Sequence, residues 1–415
     1  MLSPKIKKAI KSVLPGIFLF GFTVGTGSVT AMAKAGADYG MSMLWAVCLS
    51  CLITVFLLDL FGKFTIITKD TALSAIRKHI HPAVALFFLI GLTANVCGSV
   101  IGVMGIVADV CAEWSKNIYD GGVPSIYFAG FFVGLVYLIF LQGNTKYFEQ
   151  ILAVVVSIMA ICFLINFIML APPIHVLAKG MIPNMPETGN DKNAFLVTAS
   201  MVGTTVFSGL FILRTTLVKE AKWTMADFNT QRKDAIFSGV LIFLVSAAIM
   251  AAAAGTLHVE GASLENVSEL ITLLEPFAGR IGVAIFVLGL VAAGVSSQFP
   301  NVALLPWLLD DYHQRETNMK RKDYRVYAFG ISLLGLVVPI FNAKPIVIMI
   351  ISQAFGALLL PITVSCILIL GNKSALMESY KYSMPINIVL LGILLFSVVM
   401  SYMSITGIVS ILQSL

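Results

Sequence analysis

LPGIFLFGFTVGTGSVTAMAKAG, residues 14–36, is apolar enough to cross a bilayer, yet Gly25, Thr26, Gly27 and Ser28 cluster at its middle. A spanning helix takes roughly 20 predominantly apolar residues. Glycine weakens a helix by about 1 kcal/mol relative to alanine. Two glycines flanking a threonine at mid-membrane therefore predict a point where the helix unwinds. A second stretch has the same character: AFLVTASMVGTTVFSGLFILRTTLV, residues 194–218, places Ser208 and Gly209 at its middle. Thr23-Val24-Gly25-Thr26-Gly27 parallels Thr205-Val206-Phe207-Ser208-Gly209, both being Thr-Val-x-(Thr/Ser)-Gly. Unwound backbone at membrane depth is tolerated only where it is buried in protein or lines a cavity. Interrupted helices at matching positions of two inverted halves point to a transporter's binding site. Helix-packing glycines explain either segment taken alone; the pair favours a site.

The rest of the chain is of the same kind. Of its 415 residues 58% are hydrophobic and 12% charged, against about a quarter charged in a soluble protein. The long apolar runs do not alternate as barrel strands do, so the fold is an all-α integral membrane bundle. Eleven spans are expected, at roughly 13–35, 43–66, 83–112, 124–141, 147–172, 194–218, 234–257, 276–308, 325–342, 345–370 and 384–412. They form one transporter domain over 1–415: five spans in 13–172, five in 194–370, and an extra helix at 384–412. Five is odd, so the two halves enter the membrane from opposite sides. The opening MLSPKIKKAIKS imitates a signal peptide, but the apolar run after it continues past the usual length of such a segment.

Lysine and arginine set the orientation. With the N-terminus in the cytoplasm, the basic segments 5–11, 63–78, 219–233 and 315–325 all fall inside, and the outer side keeps only Lys116, Lys179, Lys192, Arg280 and Lys344. Eleven spans then place the C-terminus outside the cytoplasm, and the chain belongs in the cell membrane. These loops account for the net charge of +6, which calls for no nucleic acid. No phosphate-binding loop is present, so no nucleotide partner is expected, and nothing suggests an enzyme. The six cysteines lie in apolar segments, including Cys48 and Cys51, and are read as small packing residues.

On these residues the chain resembles the Nramp divalent-metal transporters. The likeness is carried by Leu14-Pro15-Gly16, AGADYG at 35–40, VGTTVFSGLFILRTTLV at 202–218, GVSSQ at 294–298, and ISQAFGALLLPITVSCILILGNKSALM at 351–377 with Gln353 and Pro361. The resemblance implies a LeuT-type fold, a 5+5 inverted repeat with discontinuous first and sixth helices. It also exposes departures. The family's Asp-Pro-Gly-Asn is here Gly25, Thr26, Gly27 and Ser28. The alanine whose carbonyl binds metal is Thr204, and the following Met-Pro-His is Phe207, Ser208 and Gly209. The acidic pair of the third span is missing from TANVCGSVIGV, where Asn95 and Ser99 are the polar residues. Of the ligands the resemblance implies, Gln353 alone remains.

The expected site is therefore Gly25, Thr26, Gly27, Ser28, Thr204, Phe207, Ser208, Gly209 and Gln353, with Lys34, Asn95, Ser99 and Arg214 along its access path, and no metal-ligand set. Transition metals want carboxylate, imidazole or sulfur, and an unneutralised charge at mid-membrane is costly. Helix N-termini beginning near Ser28 and Gly209 bind anions, and the hydroxyls add donors. Lys34 and Arg214 each lie six residues beyond a break, about 9 Å at 1.5 Å per residue. Pairing of Lys34 with Asp38 is the plainer reading of that lysine. The leading expectation is a carrier of a small anion such as bicarbonate, working by alternating access. The alternative is a divalent cation, magnesium or manganese, carried partly hydrated; a third is a non-transporting sensor on the same scaffold. No resident cofactor is expected, and the protein is read as a monomer. Ala293, Ser296 and Ser297 match the spacing of a sodium site in LeuT-type folds, completed by carbonyls near Phe20 to Thr23, so sodium is the candidate coupling ion.

Overall fold

The structure is a computed structural model that describes residues 25–142, 146–169, 172–186, 193–271, 273, 275–315 and 321–414. The first half of the 13–35 span, with the Phe20–Thr23 carbonyls of the expected sodium site, lies outside the described residues.

The chain folds as helices throughout: α1 (Thr26–Tyr39), α2 (Leu44–Thr68), α3 (Ala72–His79), α4 (Pro82–Ser115), α5 (Ser125–Gln142), α6 (Lys146–Met169), α7 (Ile174–Gly180), α8 (Asn193–Thr205), α9 (Ser208–Glu220), α10 (Phe228–Ala253), α11 (Glu275–His313), α12 (Lys322–Leu333), α13 (Pro345–Leu358), α14 (Leu360–Asn372) and α15 (Met384–Ser414). Among the described residues nine stretches are long and apolar enough to cross a membrane, or ten if α6 and α7, bent by 117°, count as one. The eleven expected spans are thus not all reproduced as uninterrupted crossings. The 147–172 span ends at Met169 and turns sharply, and α3 is a short helix that the span list did not contain.

The interruptions have local causes. Pro361 sits just inside α14, where it has no N–H to give and its ring crowds the carbonyl four residues back. That carbonyl, on Ala357, instead accepts a hydrogen bond from Ser401 Oγ of α15 at 2.9 Å. Ser404 Oγ does the same for the Ala354 carbonyl at 2.8 Å. The last helix thus satisfies the Ala357 carbonyl that Pro361 leaves without its helical donor.

The two broken helices occupy the middle of the bundle. Of the most apolar window across α8 and α9, 94% is buried, against 28% for α5 and 33% for α15. Glycines let the inner helices approach closely. A Cβ on Gly36 of α1 would lie 2.2 Å from the Met250 carbonyl of α10, and one on Gly203 of α8 would lie 2.0 Å from the Gln353 carbonyl of α13. Helices α8 and α13 are therefore in near backbone contact at the level of the break, and on α1 a Cβ on Gly27 would lie 2.3 Å from the Gln353 side chain. These approaches place Gln353 beside both α1 and α8.

Candidate functional site

The break in the 194–218 span falls where its glycine and hydroxyl residues predicted it, and a helix starts at the glycine and hydroxyl cluster of the 13–35 span, whose residues before Gly25 lie outside the described ones. Helix α1 begins at Thr26, with Gly25 in an extended conformation before it (φ −89°, ψ −176°). Its first intrahelical bond runs from Val29 N to Gly25 O at 3.1 Å, so the N–H groups of Thr26, Gly27 and Ser28 are helix-end donors. Helix α8 stops at Thr205, and α9 restarts at Ser208 with Phe207 extended before it. The restart points are Thr26 and Ser208 rather than Ser28 and Gly209, one to two residues earlier than the sequence suggested.

A cavity of about 50 Å³ lies between these breaks, lined by Gly25, Gly27, Ser28, Asn95, Ser99, Val103, Thr204, Phe207, Ser297, Asn301 and Gln353. Six of the nine expected substrate residues line it, as do Asn95, Ser99 and Ser297, which had been expected on the access path or in the sodium site. Three expected site residues do not line it. Thr26 is fully buried beside Gly294, with its Oγ1 3.0 Å from where a Cβ on that glycine would stand. The Ser208 hydroxyl bonds Thr363 Oγ1 at 2.7 Å. Gly209 is covered by the Phe207 ring, whose Cε1 is 2.4 Å from a Cβ built there. Two lining residues were missed, Val103 and Asn301. Both carry a helical signal: Val103 is four residues past Ser99, and Asn301 four past Ser297, the spacing that shares a face.

The two basic residues of the expected path are engaged elsewhere. Lys34 Nζ meets Asp38 at 2.8 Å and also donates to Ser263 Oγ at 2.8 Å. Arg214 is wholly buried, 2.5 Å from Asp234, donates to the Gln231 carbonyl at 3.2 Å, and lies over the Trp223 ring at 5.3 Å. Each positive charge is balanced by an acid, and neither side chain reaches the cavity lining.

The polarity of the lining follows from where its donors point. The Asn95 amide gives Nδ2 to the Ser352 carbonyl at 2.8 Å. A carbonyl only accepts, so the amide nitrogen must face it, and the oxygen is the atom left for the cavity. Gln353 gives Nε2 to Met349 Sδ at 3.2 Å, with the same result. Ser297 donates to the Gly294 carbonyl at 2.9 Å. Ser352 Oγ donates to the Asn95 carbonyl at 3.2 Å, so the contact between Ser99 and Ser352 hydroxyls at 3.2 Å is donated by Ser99. Each of these four side chains thus gives a hydrogen to the protein, which leaves its oxygen lone pairs uncommitted by that bond. The end of α8 adds to this, because the last carbonyls of a helix lack intrahelical partners and carry its negative dipole end. Of the hydroxyls expected as donors, Ser28 and Thr204 line the cavity, and the Ser28 hydroxyl is buried without a hydrogen-bond partner.

Ser296 points elsewhere, donating to the Ala293 carbonyl at 3.0 Å, and it does not line the cavity. No group of three or more His, Cys, Asp or Glu side chains is placed to hold a metal among the described residues. A cation in this cavity would be bound by neutral oxygen.

Comparison with known proteins agrees with this architecture. The family described as Natural resistance-associated macrophage protein-like matches residues 17–407. Relatives include a "Divalent metal cation transporter MntH" of Pectobacterium carotovorum subsp. carotovorum, 24% identical over 279 residues, covering 66% of this chain and 66% of that one. The match thus spans just under two thirds of that relative's length. A protein of the same name from Acidiphilium cryptum is 22% identical over 363 residues, 85% of this chain and 80% of the other. Among solved structures, a manganese transporter of Eremococcus coleocola, in complex with an aromatic bis-isothiourea substituted compound, superposes with a TM-score of 0.75 at 16% identity, over 99% of this chain and 88% of that one. The inward-facing form of Mhp1 gives a TM-score of 0.60 at 14% identity, over 96% and 88%. The fold is of the LeuT type, and with its family matched over nearly its whole length the chain belongs to the Nramp family of multi-pass membrane transporters.

Proposed function

We propose that this protein carries a small divalent cation, magnesium or manganese, through the cavity at the two helix breaks by alternating access. The observation that carries this reading is the hydrogen bonding of the lining: the Asn95, Ser99, Ser297 and Gln353 side chains each give a hydrogen to the protein, so that their oxygens are available as neutral ligands. Hard cations are bound by such oxygens, and magnesium keeps several of its waters. A cavity of about 50 Å³ exceeds the roughly 30 Å³ that one water occupies in the liquid, so a small ion with one of its waters fits. Retained water also lowers the need for a carboxylate at mid-membrane. The relatives named as divalent metal cation transporters support the same substrate class.

The small-anion reading, bicarbonate above all, rests on one specific feature: the helix-end N–H groups of α1, together with a Ser28 hydroxyl that is buried without a partner. Uptake into proteoliposomes decides between the two. Saturable magnesium or manganese flux, unaffected by bicarbonate, is expected. Bicarbonate flux with no flux of either metal overturns the cation reading. Coupling to sodium is proposed through Ser297 and Ser296 and is tested in the same vesicles; flux unchanged when choline replaces sodium eliminates it. An N-terminus in the cytoplasm follows from the basic segments, and modification of a cysteine placed at Lys5 by a membrane-impermeant thiol reagent on intact cells would reverse that assignment.

A further inference from the structure

Gln353 faces the cavity, but what fixes the direction of its amide is a residue that does not. Met349 lies one turn earlier on α13 and is fully buried. Its sulfur stands 3.2 Å from Gln353 Nε2. A thioether sulfur accepts hydrogen bonds weakly and donates none, so only the NH₂ side of the amide has a favourable contact there. Rotating the amide by half a turn would bring its oxygen against the sulfur, acceptor to acceptor, and would aim a donor at the cavity.

Two glycines hold this arrangement in place. A Cβ on Gly27 of α1 would lie 2.3 Å from Gln353 Nε2 and 3.2 Å from Met349 Sδ. A Cβ on Gly102 of α4 would lie 3.0 Å from Met349 Cε and 3.1 Å from its Cα. The methionine is thus packed closely between two helices, and the amide nitrogen is tucked into the space the missing Gly27 side chain leaves.

We infer that Met349 is a positioning residue: by taking the Gln353 amide hydrogen it keeps the amide oxygen toward the cavity and so sets the cation affinity of the site. The inference rests on the cation reading above and adds to it a residue that touches no substrate.

The test uses the full chain, with magnesium and manganese binding measured by calorimetry and uptake measured in proteoliposomes. Met349→Leu removes the acceptor at similar volume; Met349→Gln restores one on an unbranched side chain. Loss of a single neutral hydrogen bond corresponds to about a fivefold effect. Met349→Leu is expected to raise the KM for both metals about fivefold with kcat and thermal midpoint unchanged, and Met349→Gln to bring KM back toward the original value. A Met349→Leu protein with unchanged KM, in a parent that does bind the metals, overturns the inference alone. Equal impairment of both variants, with a lowered thermal midpoint, also overturns it, because it shows packing and not hydrogen bonding at work. A parent protein that binds neither metal overturns the cation reading and this inference together.

Discussion

Arg214 and Asp234 face each other at 2.5 Å with their side chains 0% and 1% exposed. A guanidinium six residues past the break in a spanning segment looks, in isolation, like an attractor for anions. Its partner lies twenty residues on, on the next long helix, and cancels its charge inside the protein. Breaking a buried pair by removing one partner costs roughly 3–5 kcal/mol, whereas replacing both with apolar residues is often neutral. Asp234→Asn is therefore expected to lower stability by about that amount, and Arg214→Met combined with Asp234→Leu to recover most of it. Thermal unfolding of the purified variants in detergent measures both. A single Asp234→Asn variant as stable as the parent would show that the pair is not what balances the guanidinium.

Gly203 gives the sharpest steric prediction. A Cβ there would meet the Gln353 carbonyl at 2.0 Å, backbone against backbone, while nothing lies within 4 Å of one on Gly130. Overpacking costs typically about 1–3 kcal/mol. Gly203→Ala should abolish uptake and lower the thermal midpoint, and Gly130→Ala should leave both unchanged. Equal behaviour of the two variants would mean that the contact of α8 with α13 is not needed for transport.

Returning the family's carboxylate and carboxamide to the first break is a gain-of-function experiment. Gly25 has an ordinary negative φ of −89°, so an aspartate meets no backbone strain there, and aspartate is also favoured at an N-cap. Gly25→Asp with Ser28→Asn is expected to tighten manganese binding by at least about tenfold, since carboxylate suits that ion and its charge offsets the ion's. Calorimetry on the purified variant provides the measurement. Unchanged or weaker manganese binding would indicate that the ion does not approach Gly25.

Lys34 is the contrasting case. It is a partly exposed partner of Asp38, with side chains 18% and 12% exposed, and such pairs contribute at most about 1 kcal/mol. Lys34→Ala is expected to leave the KM for uptake within about twofold and stability within about 1 kcal/mol. A large rise in KM would restore this lysine to the access path.

What could be read from the sequence, and what could not, divides along the reach of the interactions. The breaks were legible because their causes are local: Gly25, Gly27 and Gly209 weaken helices wherever they occur, and the restarts at Thr26 and Ser208 fall within two residues of where those glycines pointed. The pairing of Lys34 with Asp38 was legible because i and i+4 share a helix face. The partner of Arg214 was out of reach because Asp234 sits on another helix. The direction of the Asn95 amide was out of reach for the same reason: an amide is donor and acceptor at once, and its nitrogen is fixed by Ser352 O, which only the fold brings near. Met349, four residues before Gln353 on one helix, was within reach of helical spacing. Asn301 was within reach, four residues beyond Ser297 on the same face.

The uncharged lining of the cavity has a consequence for energetics. With no carboxylate among the eleven lining residues, a divalent ion carried as proposed would not be neutralised where it sits, and the loaded protein would move two net charges across the bilayer while the empty one would move none. Each elementary charge is worth about 2.3 kcal/mol per 100 mV. A resting potential that is negative inside would then drive loading from the outside with roughly twice that for every 100 mV, without any proton being handed over. The empty return step would be indifferent to voltage. Inward current should therefore accompany uptake and steepen as the membrane is hyperpolarised.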